Sequence, residues 1–148
     1  MDVLDLFHRY RDDVYRLAVN YTRSPQEAED ICQSVFLKLL EQNAVTPGKE
    51  RAWLMQVTAN ACRDLLRSSW WKRTVPLETA CGVSKTESDE TRYLLQKLPP
   101  QYRVVLYLHY YEQYTTQEIA HLLKIPRGTV STRLKRARDQ LKLLMKEG

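Results

Sequence analysis

The sequence predicts an all-α protein: two small helical domains joined by a flexible linker, with a helix-turn-helix in the C-terminal domain. Three observations carry this. Glycine is scarce, at 4 of 148 residues, and no run alternates apolar and polar residues cleanly enough for a sheet. Apolar residues recur instead at helical spacing along nearly the whole chain. The exception is 72–89, KRTVPLETACGVSKTESD, which is polar and interrupted by Pro76 and Gly82. It reads as a tether between domains at 1–71 and 90–148, each small enough that its core is marginal.

The first helix is expected from about Val3 to Tyr21, with Leu6, Phe7, Tyr10, Val14, Leu17 and Tyr21 inward. Ser24-Pro25-Gln26-Glu27 then signals a new start: Ser24 as N-cap, Pro25 at the first helical position, Glu27 closing a capping box. The second helix, to about Gln42, should bury Ala28, Ile31, Val35 and Leu39. Its other face mixes Asp30, Gln33 and Glu41 with Leu37 and Leu40. Such a face fits either a partner surface or a helix covered on two sides. After the Pro47-Gly48 loop a third helix runs from about Glu50 to Trp71, with Trp53, Leu54, Val57, Ala61 and Leu65 as its core side. Gln56, Asn60, Arg63 and Arg67 share another face. Asn is a poor mid-helix residue because its amide competes for backbone hydrogen bonds, so beside two arginines it suits a polar ligand better than it suits stability. Trp70-Trp71-Lys72-Arg73 has two readings: stacking on single-stranded DNA, or burial at a helix end.

A fourth segment, from Glu90 to Leu98, leads to Pro99-Pro100, and Pro100 is placed to open the helix of Val104 to Glu112. The helix-turn-helix follows at 115–143, TTQEIAHLLKIPRGTVSTRLKRARDQLKL. Thr115 and Glu118 form a capping box, and Ile119, Ala120, Leu122 and Leu123 give the apolar side. Lys124-Ile125-Pro126 breaks the helix, and Pro126 is placed to open the next. There Val130, Leu134, Ala137 and Leu141 make one narrow stripe. The opposite face carries Thr132, Lys135, Arg136 and Asp139, flanked by Ser131, Arg133 and Arg138. One side buried and the other basic and hydroxyl-bearing is the layout of a helix that enters a major groove.

Charge divides the same way. Residues 1–71 hold 9 Lys/Arg and 10 Asp/Glu, a net −1, whereas 72–148 hold 14 and 8, a net +6. That half suits a polyanion such as nucleic acid, and the near-neutral half suits protein contacts. No segment has the roughly 18 uninterrupted apolar residues of a membrane span. The N-terminus, MDVLDLFHRYRDD, is charged throughout, unlike a signal peptide, so a cytoplasmic protein is expected. Cys32, Cys62 and Cys81 are widely spaced and form no ligand cluster with His8, His109 and His121, so neither a disulfide framework nor a metal is expected. No glycine-rich phosphate loop, nucleophile motif or HExxH occurs, so neither an enzyme nor a cofactor is expected.

Three blocks make the chain resemble a bacterial RNA polymerase sigma factor of the extracytoplasmic-function group: AEDICQSVFLKLLEQ at 28–42, AWLMQVTANACRDLLR at 52–67, and LPPQYRVVLYLHYYEQYTTQEIAHLLKIPRGTVSTRLKRAR at 98–138. They cover about half of the chain, in the family's order. The resemblance implies that the first block docks on the clamp of core RNA polymerase, with Asp30 and Gln33 at the family's contact positions. Ser34 departs from the acidic residue usual there. The second block implies a reader of the melted −10 promoter element through Gln56, Asn60, Arg63 and Arg67, with Asn60 at the position associated with capturing a flipped base. The third implies a reader of the −35 element. Ser131, Thr132, Lys135 and Arg136 would face bases, and Arg127, Thr129, Arg133 and Arg138 would hold phosphates. Lys124 replaces the glycine usual in the turn.

Implied partners are core RNA polymerase at its clamp and flap regions, promoter DNA, and an anti-sigma factor. Because anti-sigma factors are often in the membrane, one would hold the cytoplasmic protein there. The competing readings are a stand-alone helix-turn-helix regulator, which would need a dimer interface, and an adaptor that only binds protein, which the basic helix argues against.

Overall fold

The structure is a computed structural model that describes residues 2–41, 45–67, 94–95 and 97–147. The expected tether at 72–89, Trp70, Trp71 and Cys81 lie outside the described residues. The described elements are helical and fall into two compact units, one within 1–81 and the other within 82–148.

In the first unit, the Asp2 carboxylate caps α1 (Val3–Thr22) by accepting the Leu4 and Asp5 N–H groups at 3.1 and 3.4 Å. Leu6, Val14, Leu17 and Tyr21 are buried as their spacing predicts, together with Ala18 and Val19, whereas Phe7 and Tyr10 are half-buried. Arg23 ends the helix in the left-handed region, at φ 56°, with its N–H on Val19 O at 2.8 Å. The expected capping box at Ser24 is half present. Ser24 Oγ accepts the Glu27 N–H at 3.2 Å, but the Ser24 N–H donates to Thr22 Oγ1 at 3.2 Å. The left-handed turn at Arg23 brings that hydroxyl within reach before the Glu27 carboxylate.

Helix α2 (Pro25–Glu41) buries Ala28, Ile31, Cys32, Val35, Phe36 and Leu39. A tight turn follows, with Lys49 N–H on Thr46 O at 3.0 Å and Gly48 at φ 84°. Proline then glycine at the two central positions is the chemistry of a type II turn. Helix α3 (Glu50–Leu66) corrects the expected core stripe. Leu54, Met55, Thr58, Ala59 and Cys62 are buried, and Trp53, Val57, Ala61 and Leu65 are only half-buried. Small side chains at 58, 59 and 62 let α3 sit close against its neighbours, which leaves the large indole at the rim. Thr58 costs little there because its hydroxyl donates to Leu54 O at 2.6 Å. Burial pushes the Cys32 thiol up to about 11 and the Cys62 thiol higher still, so both are packing residues rather than nucleophiles. Asp13 ties the helices together: it takes Arg16 at 2.6 Å on one oxygen and Arg51, in the first turn of α3, at 3.0 Å on the other.

In the second unit, Pro99 and Pro100 start α4 (Pro100–Leu106). Arg103 is wholly buried and donates through NH1 to Leu98 O at 2.7 Å, which anchors the turn before the helix. The chain runs on as a π-helical turn, Tyr107–Tyr111, where a plain α-helix was expected. Tyr107 and Tyr111 stack at 5.3 Å, and Tyr107 OH donates to Glu112 at 2.6 Å. Helix α5 (Thr116–Leu123) has the predicted capping box in full, with Glu118 N–H on Thr115 Oγ1 at 3.1 Å and Thr115 N–H on Glu118 Oε1 at 2.8 Å. Lys124 is left-handed, at φ 59° and ψ 44°. Pro126 stands just before α6 (Arg127–Glu147) rather than inside it, and its carbonyl accepts the Val130 N–H at 3.2 Å. Both α4 and α5 pack on α6.

A non-glycine residue in the left-handed region costs roughly 1–2 kcal/mol. Lys124→Gly should therefore stabilise the second unit by about 1 kcal/mol, after allowing for glycine's extra freedom when unfolded. A urea titration of the full chain with separate probes for each unit checks this, and a loss of stability would mean that the Lys124 side chain makes a contact outweighing the strain.

Candidate nucleic-acid and partner interfaces

Helix α6 presents the second unit's candidate residues. Val130, Leu134 and Ala137 are buried and Leu141 is half-buried, so the predicted stripe is the packed side. Ser131, Thr132, Lys135 and Arg136 are exposed, as are Arg127 and Arg138, and Thr129 and Arg133 are half-buried at the flanks. Lys135 Nζ lies 3.3 Å from Asp139 Oδ2, an exposed pair one turn apart that contributes little and is easily exchanged for a phosphate or base. Arg138 NH1 donates to Tyr110 OH at 3.0 Å. Tyr110, which the sequence did not single out, reaches Arg138 from the π-helical turn, which helical spacing does not describe.

In the first unit, α3 brings three of its four candidates together. Asn60 Oδ1 accepts from Gln56 Nε2 at 3.3 Å and from an Arg63 guanidinium nitrogen. All three are half-buried. Arg67 is separate, exposed and 3.8 Å from Asp64.

Helix α2 holds Asp30, Gln33, Leu37 and Leu40 on its exposed side, with Leu37 and Leu40 59% and 62% accessible. Of the two sequence readings of this face, a helix covered on two sides is excluded within the described residues. Gln33, Leu37 and Leu40 line an apolar groove of about 510 Å³ completed by Val3, Leu4, Phe7 and Phe36. Phe7 and Phe36 meet edge-on at 5.0 Å in its floor. Leu4, 65% accessible, was missed, although its place off the inward stripe of α1 was a usable signal. Among the described residues, no group of His, Cys, Asp and Glu is placed to hold a metal, and no helix is long and apolar enough to cross a membrane.

Residues 6–72 match the family model for sigma-70 region 2, and residues 88–141 match that for sigma-70 region 4. The chain is 30% identical to the ECF RNA polymerase sigma factor SigM of Mycobacterium tuberculosis, over 95% of this chain and 75% of that protein. It belongs to the extracytoplasmic-function sigma factors. SigM of Bacillus subtilis is 27% identical, over 100% of this chain and 98% of that one. The fold is that of the sigma factor RpoE of Bartonella quintana, solved in complex with the anti-sigma factor NepR. The TM-score is 0.71 at 17% identity, covering 96% of this chain and 95% of that one. Sigma factors bind RNA polymerase and promoter DNA.

The two sides of α6 should separate in mutants. Leu134→Ala is expected to destabilise the second unit by about 2–5 kcal/mol as a core truncation. Lys135→Ala and Arg136→Ala should leave unfolding nearly unchanged while weakening DNA binding. Equal losses of thermal stability in all three variants would show the faces to be wrongly assigned.

Proposed function

We propose that this sigma factor is a dissociable subunit that joins core RNA polymerase, recognises promoters and helps to melt them. The supporting observation is the pattern of exposure. The first and third family blocks pack one side and leave bare the side that carries Asp30 and Gln33 in one and Ser131, Thr132, Lys135 and Arg136 in the other, while in the second Gln56, Asn60 and Arg63 stand half-buried beside an exposed Arg67. In this reading residues 1–71 dock on the clamp through Asp30, Gln33, Leu37 and Leu40 and read the −10 element through Gln56, Asn60, Arg63 and Arg67. Residues 72–89 act as a tether. Residues 90–148 read the −35 element, with Ser131, Thr132, Lys135 and Arg136 toward bases and Arg127, Thr129, Arg133 and Arg138 toward phosphates, and meet the flap region. The protein itself is cytoplasmic and not an enzyme. An anti-sigma factor is a further partner, by analogy with the NepR complex, and one set in the membrane would hold the protein there.

The physical terms fit. A bidentate Arg or Lys pair with a guanine edge discriminates by about 1–3 kcal/mol. Extruding a base costs a few kcal/mol, which an amide in a pocket partly recovers. Two weak readers on one chain gain through effective concentration once polymerase fixes their spacing.

Run-off transcription with core polymerase on a genomic promoter library tests the reading. Promoter-specific transcripts are expected only when the chain is added. Leu37→Asp changes an exposed residue, so folding should shift by no more than about 0.5 kcal/mol while co-elution with polymerase is lost. A stand-alone regulator would bind DNA without polymerase, and Leu37→Asp would then change nothing. Asn60→Ala should form closed complexes nearly as wild type does but few permanganate-reactive open ones. Normal melting by this variant would remove Asn60 from the −10 reader.

A further inference from the structure

The Asn60 amide is held in one orientation by its own helix. Gln56 Nε2, one turn earlier, and an Arg63 guanidinium nitrogen, nearly one turn later, both donate to Asn60 Oδ1. The Arg63 guanidinium can only donate, so only the carbonyl end of the amide can face it, because a flip would set its NH2 group against that donor. A carbonyl oxygen has two lone pairs, and both are engaged. The amide nitrogen, with two hydrogens to give, has no hydrogen-bond partner among the described residues, and the side chain is half-exposed.

We infer that Asn60 reads its base as a donor only, so that a base whose edge is all acceptors is favoured and adenine, whose amine finds no acceptor, is disfavoured. This rests on the proposal that α3 takes a base from the melted promoter strand. Asparagine ordinarily reads adenine with both ends of the amide, donating to N7 and accepting from the N6 amine. Here the accepting end is occupied. An adenine keeps one bond at most, and its amine goes unpaired. Guanine O6 and N7 and thymine O4 lose nothing to this arrangement, whereas cytosine, like adenine, carries an amine that finds no acceptor here. Gln56 and Arg63 are thus positioning residues: they act on the base through the amide they orient.

The test uses holoenzyme assembled from the full chain and core polymerase. It selects from a pool of short single-stranded DNA of randomised sequence, and bound strands are sequenced. Wild type should reject adenine about tenfold at one position, the discrimination expected of one lost hydrogen bond. Asn60→Asp keeps an acceptor for Gln56 and Arg63 but turns the outward atom from donor to acceptor. It should shift that position alone, toward a base with an amine on its edge. Gln56→Leu should relax the rejection of adenine at the same position more than it changes any other, a selectivity that general loosening of the helix would not give. If Asn60→Asp fails to fold, this second variant carries the test. A wild-type preference for adenine that Asn60→Asp removes would overturn the inference. So would a selection that neither variant changes at any position. Failure of wild-type holoenzyme to select any sequence would instead overturn the proposed function, and this inference with it.

Discussion

Helix α6 is held by one narrow buried stripe, and most of the rest of its surface is exposed among the described residues. On α6 the wholly buried side chains are Val130, Leu134 and Ala137. Fully burying a Val or Leu contributes roughly 1.5–3 kcal/mol, so a stripe of this width fixes a helix only with help from its ends. The benefit is geometric. A helix packed on about a third of its circumference can offer the remainder to a groove, and the basic residues at 133, 135, 136 and 138 occupy that remainder.

The ends are correspondingly well specified. Asp2 and Thr115 cap α1 and α5, and Arg23 and Lys124 close them in the left-handed region. Neither closing residue is glycine, so the chain carries strain at two corners that set the angle between consecutive helices. Such strain persists where surrounding packing over-determines the conformation. At the first corner Thr22 Oγ1 bonds both Ala18 O and Ser24, and α3 is pinned to α1 through Asp13 and Arg51. At the second, Ile119, Leu122 and Leu123 are buried up to the turn itself. Arg103 serves the same end before α4: a fully buried cation is tolerable only when hydrogen-bonded, and the Leu98 carbonyl supplies such a bond.

The sequence made the all-helical class, the element order, the Thr115–Glu118 capping box and the α6 stripe legible because all of these are local. Periodicity and capping act within a turn or two of the chain. Legibility failed where a tertiary contact chose between local options. On α3, hydrophobicity favoured the side of Trp53, Val57, Ala61 and Leu65, but close approach of helices favours small residues, and the buried side is that of Thr58, Ala59 and Cys62. The π-helical turn at Tyr107–Tyr111 likewise has no periodic signature. The groove beside Leu37 needed α1 and α2 side by side before Leu4 could count as part of it. The candidates at 56, 60 and 63 were legible as a face, but the direction in which the Asn60 amide points was not, since that depends on which atoms its neighbours aim at it.

The two candidate DNA readers differ in how far their polar groups are committed in advance. On α6, Lys135 and Asp139 are exposed and 3.3 Å apart, a pair that long, mobile side chains abandon at little cost when a phosphate or guanine edge arrives. Such a face adapts and, being charged, loses affinity as salt rises. On α3, Gln56, Asn60 and Arg63 are half-buried and bonded to one another, so the amide that would meet a base is already oriented. Ordering a free side chain on binding costs about 0.5–1.5 kcal/mol, and here that cost has been met in folding. In the proposed function this asymmetry has a physical basis. Duplex contact can be loose and numerous, whereas capture of an extruded base must offset a few kcal/mol of lost stacking through very few contacts, and a fixed donor loses none of its binding energy to finding its own orientation.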